Sequence, residues 1–460
     1  MPAPAVVLRI MAEGEFPDAD VAAARALVLL TRDAMSERGG VALASRIEVT
    51  RAIAPTVSAV SEVRGLGNGS KLLTAIVQRT RDSVTVLWKL RTVGDDATLT
   101  RSERLIVPVQ ELSRGALALA DLAVRASGAP TLGAAPVALP SADAGNAYVV
   151  GLAEALSPTP AALSRARNLL VRATTLAPTH AEVWRWRARV EQMLIEQNTA
   201  NDAAGLRGLR ASALASATRA VQLSPGSNGA RVTQAEAYLG SGDRDKTVSV
   251  LLDVAKRDVN DPGMQRVSAL LDRVRGNDQR ALEQLRVAAG RDPRDASLLV
   301  DLASLAMLRK ETTLACRALN AAVAADAELA SSYALRALVR AGMGERREAW
   351  ADAEVATRLG HPEWGERAAT VLDARFAERS NAVSRLSAVG GSGAVPANYL
   401  DAIMLAHASA ALAAPGAAVR VATGVACTSP LRPIVLRDFR SLGVTASDAC
   451  TPVTRPQAGK

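Results

Sequence analysis

Aromatic residues, cysteine, histidine and lysine are all scarce in this chain of 460 residues. Phe, Trp and Tyr make up 3% of it, whereas apolar residues of all kinds make up 49%, so the interior must be built mainly from Ala, Leu and Val. Small side chains let helices approach closely, which favours many short helix pairs over one large aromatic-filled core. The length alone predicts two or three domains or one elongated array.

The few cysteines and histidines do not match the spacing of a known metal site. Cys316 lies in a helical pattern and is interpreted as a small packed residue, whereas Cys427 and Cys450 would pair only in an oxidising compartment. The sequence contains no Gly-x-Ser-x-Gly elbow and no His-Glu-x-x-His helix, and Gly65–Lys71 lacks the spacing of a phosphate-binding loop. We therefore expect a protein that is not an enzyme and holds no cofactor or metal.

Long apolar runs are missing as well. None approaches the ~20 residues that span a bilayer, so no membrane span is expected. Arg9 interrupts the short apolar stretch Ala5–Ala12, which lacks the basic start and the length of a signal peptide and instead predicts a strand. The chain as written is therefore expected to be cytoplasmic. A fragment of a membrane-anchored regulator would instead be periplasmic.

The net charge of +9 comes almost entirely from arginine. Basic and acidic residues alternate, as in Arg244-Asp245-Lys246 and Glu345–Glu348, and this mixture is typical of solvated helix faces. The alternation favours such faces over a nucleic-acid site, so no nucleic-acid partner is expected.

Residues 1–127 predict a small α/β domain, because helical periods are interleaved with runs of period two. Residues 128–143 contain three prolines and no helical period, which indicates a linker. The predicted elements of the domain are strand Val6–Met11, helix Ala19–Glu37, strand Val41–Ser45, a short helix Glu48–Ala54, a meander of strands Lys71–Thr80, Ser83–Val93 and Ala97–Val107, and helix Gln110–Ala126.

Beyond the linker the sequence repeats with a period of 34. Pro225 and Pro293 differ by 68 positions, which is twice 34. The interval from Pro178 to Pro225 is 47, and we place the 13 extra residues in a loop near Asn198–Arg210. Small residues recur every 34 positions where the two helices of a pair would cross, at Ala235, Ala269, Ala303 and Ala337. Small-large-small triplets of the second helix follow in phase, at Ala281/Leu285/Ala288 and Ala315/Leu319/Ala322.

This pattern resembles the tetratricopeptide repeat family. The aromatic residue of that family's first helix is matched by Trp184 and Tyr333, and its later aromatic by Tyr238. The resemblance implies helical repeats over residues 144–363, followed by degenerate helical repeats and a C-terminal cap over residues 364–460. The expected fold is a small N-terminal α/β domain joined to an all-α solenoid of the tetratricopeptide type.

The whole arrangement is also similar to a TolB-like α/β domain joined to such repeats, as in the non-catalytic region of bacterial adenylate cyclases and winged-helix regulators. The matching segments are Val84–Leu90, Ala147–Leu152 and Pro433–Gly443. No cyclase, kinase or winged-helix effector is present in the chain. The resemblance therefore implies a sensory or regulatory protein-interaction module of a bacterial signalling system.

In the tetratricopeptide family the first helices line a concave groove that binds peptides. Carrying the groove positions onto this sequence gives Arg185, Arg189, Gln192, Arg266 and Arg273. Their positive charge predicts an acidic peptide partner held by charge-assisted hydrogen bonds, unless these are simply exposed arginines. A different hypothesis is a small-molecule or envelope-associated binding protein whose ligand site lies in the α/β domain. Self-association is a further alternative.

Overall fold

The computed structural model describes residues 6–12, 18–37, 43–46, 71–80, 82–92, 98–126, 137–156, 160–196, 203–293, 295–326, 329–359, 362–376, 380–384, 404, 407, 410 and 432–443. The N-terminal part forms one layer of strands and one layer of helices. Its elements are β1 Val6–Ala12, α1 Asp18–Glu37, β2 Leu43–Arg46, β3 Lys71–Arg79, β4 Ser83–Thr92, β5 Thr98–Pro108, a 3-10 turn Val109–Glu111 and α2 Leu112–Ala126.

The five strands form one mixed sheet in the order β2-β1-β3-β4-β5. Strand β1 is parallel to both neighbours, and the β3-β4-β5 meander is antiparallel. Alternate residues of β3 and β4, such as Leu73, Val77, Val84 and Trp88, are buried in the core that also contains α1 and α2. The period-two pattern of the sequence therefore correctly predicted the meander. The predicted helix Glu48–Ala54 lies outside the described residues.

In the described part of the chain after residue 137, helices come in consecutive pairs and are followed by further helical residues. Each pair has a first and a second helix in chain order. The pairs are α3 Ala142–Ala155 with α4 Pro160–Leu176, α5 Ala181–Glu196 with α6 Ala203–Leu223, α7 Asn228–Gly240 with α8 Arg244–Ala255, α9 Pro262–Arg275 with α10 Asp278–Arg291, α11 Ala296–Leu308 with α12 Thr312–Ala325, and α13 Ala330–Met343 with α14 Arg346–Arg358; α15 Pro362–Phe376 and α16 Arg432–Ser441 follow.

The helix boundaries reproduce the 34-residue period. First helices begin at residues 228, 262, 296 and 330, and second helices at 244, 278, 312 and 346. Within each of these pairs only two or three residues join the helices, so the second must return antiparallel to the first. The crossing residues Ala235, Ala269, Ala303 and Ala337 are all buried. The chain therefore has an α/β N-terminal part and an all-α solenoid of the tetratricopeptide type.

A left-handed residue closes the turn inside each of these pairs. Gly242, Gly276 and Gly344 have φ of 84°, 90° and 84°, and Lys310 has φ of 61°. These four positions are also 34 residues apart, which makes them an independent marker of the repeat. Glycine adopts this conformation without steric cost, whereas lysine does not.

The second pair differs from the prediction. Residues 203–210 were expected in a loop, but they form the first two turns of α6. The extra residues therefore lengthen the helices, since α6 has 21 residues whereas α8 has 12. Six of these eight residues are Ala, Leu or Arg, which favour helix, and they outweigh the two glycines.

The chain divides into two compact units. One comprises Met1–Asp272, Asp278–Leu302 and Ala321–Ala327, and the other comprises Arg273–Asn277, Ala303–Asn320 and Glu328–Lys460. In the first unit a single apolar core runs from the sheet through α1 and α2 into α3, α4 and α5. In the second unit α13, α14 and α15 pack against one another.

Candidate interaction surface on the first helices

Helix α1 of the N-terminal layer packs against the first helices of the solenoid. It contacts α3 extensively and also touches α7, and its Leu27 shares one core with Tyr148 of α3 and Trp186 of α5. The face on which a tetratricopeptide array would receive a peptide is therefore covered, over the first repeats, by a helix of the same chain.

Arg185 of α5 is the polar centre of this contact. Its guanidinium binds the carboxylates of Asp33 in α1 and Glu182 in α5, and its side chain is only 4% exposed. The guanidinium also lies 5.3 Å from the centroid of the Trp186 ring. The predicted groove residue Arg185 thus holds a carboxylate from its own chain.

The other two predicted residues of α5 follow Arg185 along the same helix. Arg189 is half-buried, and its guanidinium lies 5.1 Å from the centroid of the Trp186 ring. Gln192 is buried, and its Oε1 would lie 3.1 Å from a Cβ built on Gly240 at the end of α7. Arg189 is therefore more accessible than either Arg185 or Gln192.

Arg266 of α9 forms an ion pair with Asp301 of α11 at 2.7 Å. The two side chains are 33% and 37% exposed, so this pair remains accessible to solvent on neighbouring first helices. Asp301 lies one repeat plus one residue after Arg266. The repeat phase could therefore have identified it from the sequence.

Arg273 belongs to the second unit, where its guanidinium binds Asp438 of α16 at 2.6 Å and both side chains are buried. Arg437 of the same helix donates to the backbone carbonyl of Arg273. The structure thus places the five predicted residues in three separate environments. It also gives Arg185, Arg266 and Arg273 carboxylate partners that the peptide prediction did not include.

The N-terminal layer is fixed to α3 at a second point. A Cβ on Gly145 of α3 would lie 2.8 Å from the backbone nitrogen of Gln110, in the 3-10 turn. Leu139, at the end of the predicted linker, is buried and donates its backbone N–H to the Gln110 carbonyl at 2.9 Å. His180 Nε2 lies 2.8 Å from the Val137 carbonyl. These contacts hold the end of the predicted linker against the 3-10 turn on one side and against His180, which precedes α5, on the other.

Within the described part of the chain, no three His, Cys, Asp or Glu side chains are grouped as a metal ion would require. Cys316 is a free thiol that accepts a hydrogen bond from Asn320 Nδ2 at 3.6 Å. Among the described helices, none combines the length and the apolar character needed to cross a membrane.

Comparison with known proteins adds structural similarity only. No family model matches the chain, and no curated protein matches it. Similar solved structures include a thermophilic TPR protein of Thermus thermophilus, which is 18% identical, covers 42% of this chain and 89% of its own, and has a TM-score of 0.31. Another is pilF of Pseudomonas aeruginosa, which is 13% identical, covers 45% of this chain and 93% of its own, and has a TM-score of 0.34. Human IFIT1, solved as a dimer with PPP-AAAA, is 14% identical, covers 67% of this chain and 76% of its own, and has a TM-score of 0.42.

These identities and TM-scores are low, and the repeat architecture is established by the chain's own helix spacing.

The first-helix face has two parts in the first unit. Over α3, α5 and α7 it is packed against α1, whereas the Arg266–Asp301 pair of α9 and α11 remains partly exposed.

Proposed function

We propose that the chain is a non-enzymatic scaffold that binds a polypeptide, and that it serves as a sensory or regulatory module of a bacterial signalling system. The observation that carries this proposal is the accessible charged pair Arg266–Asp301 on adjacent first helices. Stacked helical hairpins that keep polar side chains accessible on one face are suited to binding extended or helical peptides.

The chemistry of the partner follows from what these helices already bind in cis. Arg185 and Arg273 each hold an aspartate from a helix distant in sequence. In each case an arginine of a first helix binds a carboxylate presented by another helix. We propose that an acidic segment of the partner contacts Arg189 and Arg266, whereas Arg185, Gln192 and Arg273 hold the scaffold's own helices in position.

The N-terminal part supports the signalling assignment. The elements β1-α1-β2-β3-β4-β5-α2 precede the helical repeats, and the TolB-like resemblance of the sequence is the reason for proposing a signalling role. In such an arrangement the α/β part and the repeats act together, because α1 belongs to the core of both. A signal received by one part would reach the other through this helix.

The test compares two double variants of the full chain in quantitative affinity purification followed by mass spectrometry. Arg189→Glu/Arg266→Glu reverses charge on the first helices. Arg286→Glu/Arg317→Glu makes the same charge change at accessible arginines of second helices. We expect that a polypeptide with acidic segments co-purifies with the wild type and with the second-helix control, Arg286→Glu/Arg317→Glu. The same polypeptide should be lost with Arg189→Glu/Arg266→Glu.

The recovered polypeptide is then purified and its dissociation constant measured against all three proteins. Equal binding by the two variants would overturn the assignment of Arg189 and Arg266. If no polypeptide is retained and a small molecule instead raises the melting temperature through the α/β part, the scaffold proposal as a whole is wrong.

A further inference from the structure

The second helices of the first two repeats differ in charge from those that follow. Helix α4 carries Arg165, Arg167 and Arg172, and α6 carries Arg207, Arg210 and Arg219, and neither contains Asp, Glu or Lys. Helices α8, α10 and α14 each mix acidic with basic residues, and α12 has one arginine. Helices α4 and α6 therefore each carry three arginines and no acidic residue, whereas charge alternates in α8, α10 and α14.

A buried carboxylate of α5 links α4 and α6. Glu191 of α5 is fully buried, and its Oε1 accepts from Arg167 Nε of α4 at 3.4 Å and from Ser212 Oγ of α6 at 2.7 Å. Arg187 of α5 also bridges the helices, donating to Thr174 Oγ1 and Ser212 Oγ, each at 3.2 Å. The negative charge of Glu191 is thus neutralised in the interior. The remaining arginines of α4 and α6 determine the charge on the outer surface of these two helices.

Those outer arginines are accessible. Arg172 and Arg207 are exposed, and neither forms a hydrogen bond or ion pair with another described residue. The Arg165 side chain is 59% exposed and binds Glu154 at the border of the surface, and Arg219 is exposed and donates to Gln222. Both α4 and α6 therefore carry guanidinium groups that an anion in solvent can reach.

The composition of this surface discriminates between anionic partners. Protein interfaces are anchored by buried aromatic or large apolar residues, but the only large hydrophobic residue exposed on the described parts of α4 and α6 is Leu176, at the end of α4. Binding of single strands relies on aromatic stacking, and these helices contain no aromatic residue. Arginine together with Ser, Thr, Asn and Gln is the set that contacts phosphates of a duplex backbone.

We propose that the outer surface of α4 and α6 binds the phosphodiester backbone of a nucleic-acid duplex without reading its bases. The 21 residues of α6 extend about 31 Å, which matches about nine base pairs. This surface lies on the second helices, so it is separate from the first-helix face proposed for the polypeptide.

The experiment measures binding of a fluorescent DNA duplex of roughly 20 base pairs to the full chain by anisotropy, between about 50 and about 200 mM salt. For the wild type, four phosphate contacts give a slope of log K against log salt of about −3 to −4. Arg172→Gln/Arg207→Gln should weaken binding roughly tenfold or more at the lower salt concentration and reduce the slope by about two. Both residues are exposed, so the melting temperature should not change.

Arg286→Gln/Arg317→Gln is the matched control, because it removes the same charge from second helices outside the surface. Its binding and slope should equal those of the wild type. Equal weakening by both variants would overturn the proposal. It would also be overturned if vesicles of anionic lipid or a polyglutamate peptide bound as tightly as the duplex and lost binding equally with Arg172→Gln/Arg207→Gln.

Discussion

Arg185 of α5 and Asp33 of α1 form an ion pair between positions 152 residues apart in the sequence. Arg185 is almost completely buried, whereas Asp33 and the second partner, Glu182, keep 19% and 27% exposure. The pair joins the N-terminal layer to the second repeat at a point where apolar packing surrounds it. Loss of the arginine would leave two carboxylates without their buried partner.

We expect Arg185→Met to lower the free energy of unfolding by about 2 kcal/mol. Removal of one partner from a fully buried pair costs about 3–5 kcal/mol, and the value here is smaller because the carboxylates reach solvent. Urea unfolding provides the measurement. Arg189→Met, one turn later, is the control and should cost less than about 1 kcal/mol. Equal losses would show that the ion pair does not secure α1.

Close approach of backbones at Gly145 gives a second prediction. In Gly145→Ala the new Cβ would lie 2.8–2.9 Å from backbone atoms of Val109 and Gln110, which cannot move as a side chain can. We expect the free energy of unfolding to fall by about 2 kcal/mol. A Cβ on Gly290 of α10 meets nothing within 4 Å, so Gly290→Ala should raise stability by about 1 kcal/mol. A neutral Gly145→Ala would contradict the close packing of α3 on the turn.

The sequence predicted the local structure well because local structure follows from periodicity. The strands of the meander begin and end within one or two residues of their predicted positions, and α1 begins at Asp18 instead of Ala19. The repeat phase placed the crossing alanines correctly because they recur at a fixed spacing. Gly242, Gly276 and Gly344 carried the same spacing and offered a further test of the repeat.

The docking of α1 on α3, α5 and α7 could not be predicted in the same way. Its polar contact joins Arg185 to a residue far away in the sequence, and no period connects them. The Arg273–Asp438 pair is separated by 165 residues and has the same character. The family resemblance predicted the groove positions, but the burial of those residues depends on tertiary contacts that a single sequence does not reveal.

Lys310 occupies the left-handed position that glycine fills in three other repeats. A side chain at positive φ costs roughly 1–2 kcal/mol, so we expect Lys310→Gly to raise the free energy of unfolding by about 1 kcal/mol despite the greater freedom of glycine in the unfolded chain. The reciprocal substitution Gly344→Lys should lower it by a similar amount. Thermal and urea unfolding of both variants provide the measurement, and a destabilised Lys310→Gly would refute the argument.

His407 should make stability depend on pH. Its pKa is lowered from 6.5 to about 4, mainly because burial disfavours the imidazolium and secondarily because Arg375 is nearby. Between these values the unfolded chain binds more protons than the folded one, so this contribution is complete above pH 6.5 and is lost as the pH falls towards 4.

We therefore expect the difference in unfolding free energy between the wild type and His407→Gln to change by about 3 kcal/mol across that window. Titrating carboxylates are common to both proteins, so their effect cancels in the difference. The His407 ring signal followed by NMR should titrate with a midpoint near 4. A midpoint near the ordinary value, together with parallel stability curves, would show that the ring is accessible to water, because exclusion from water is the main cause of its lowered pKa.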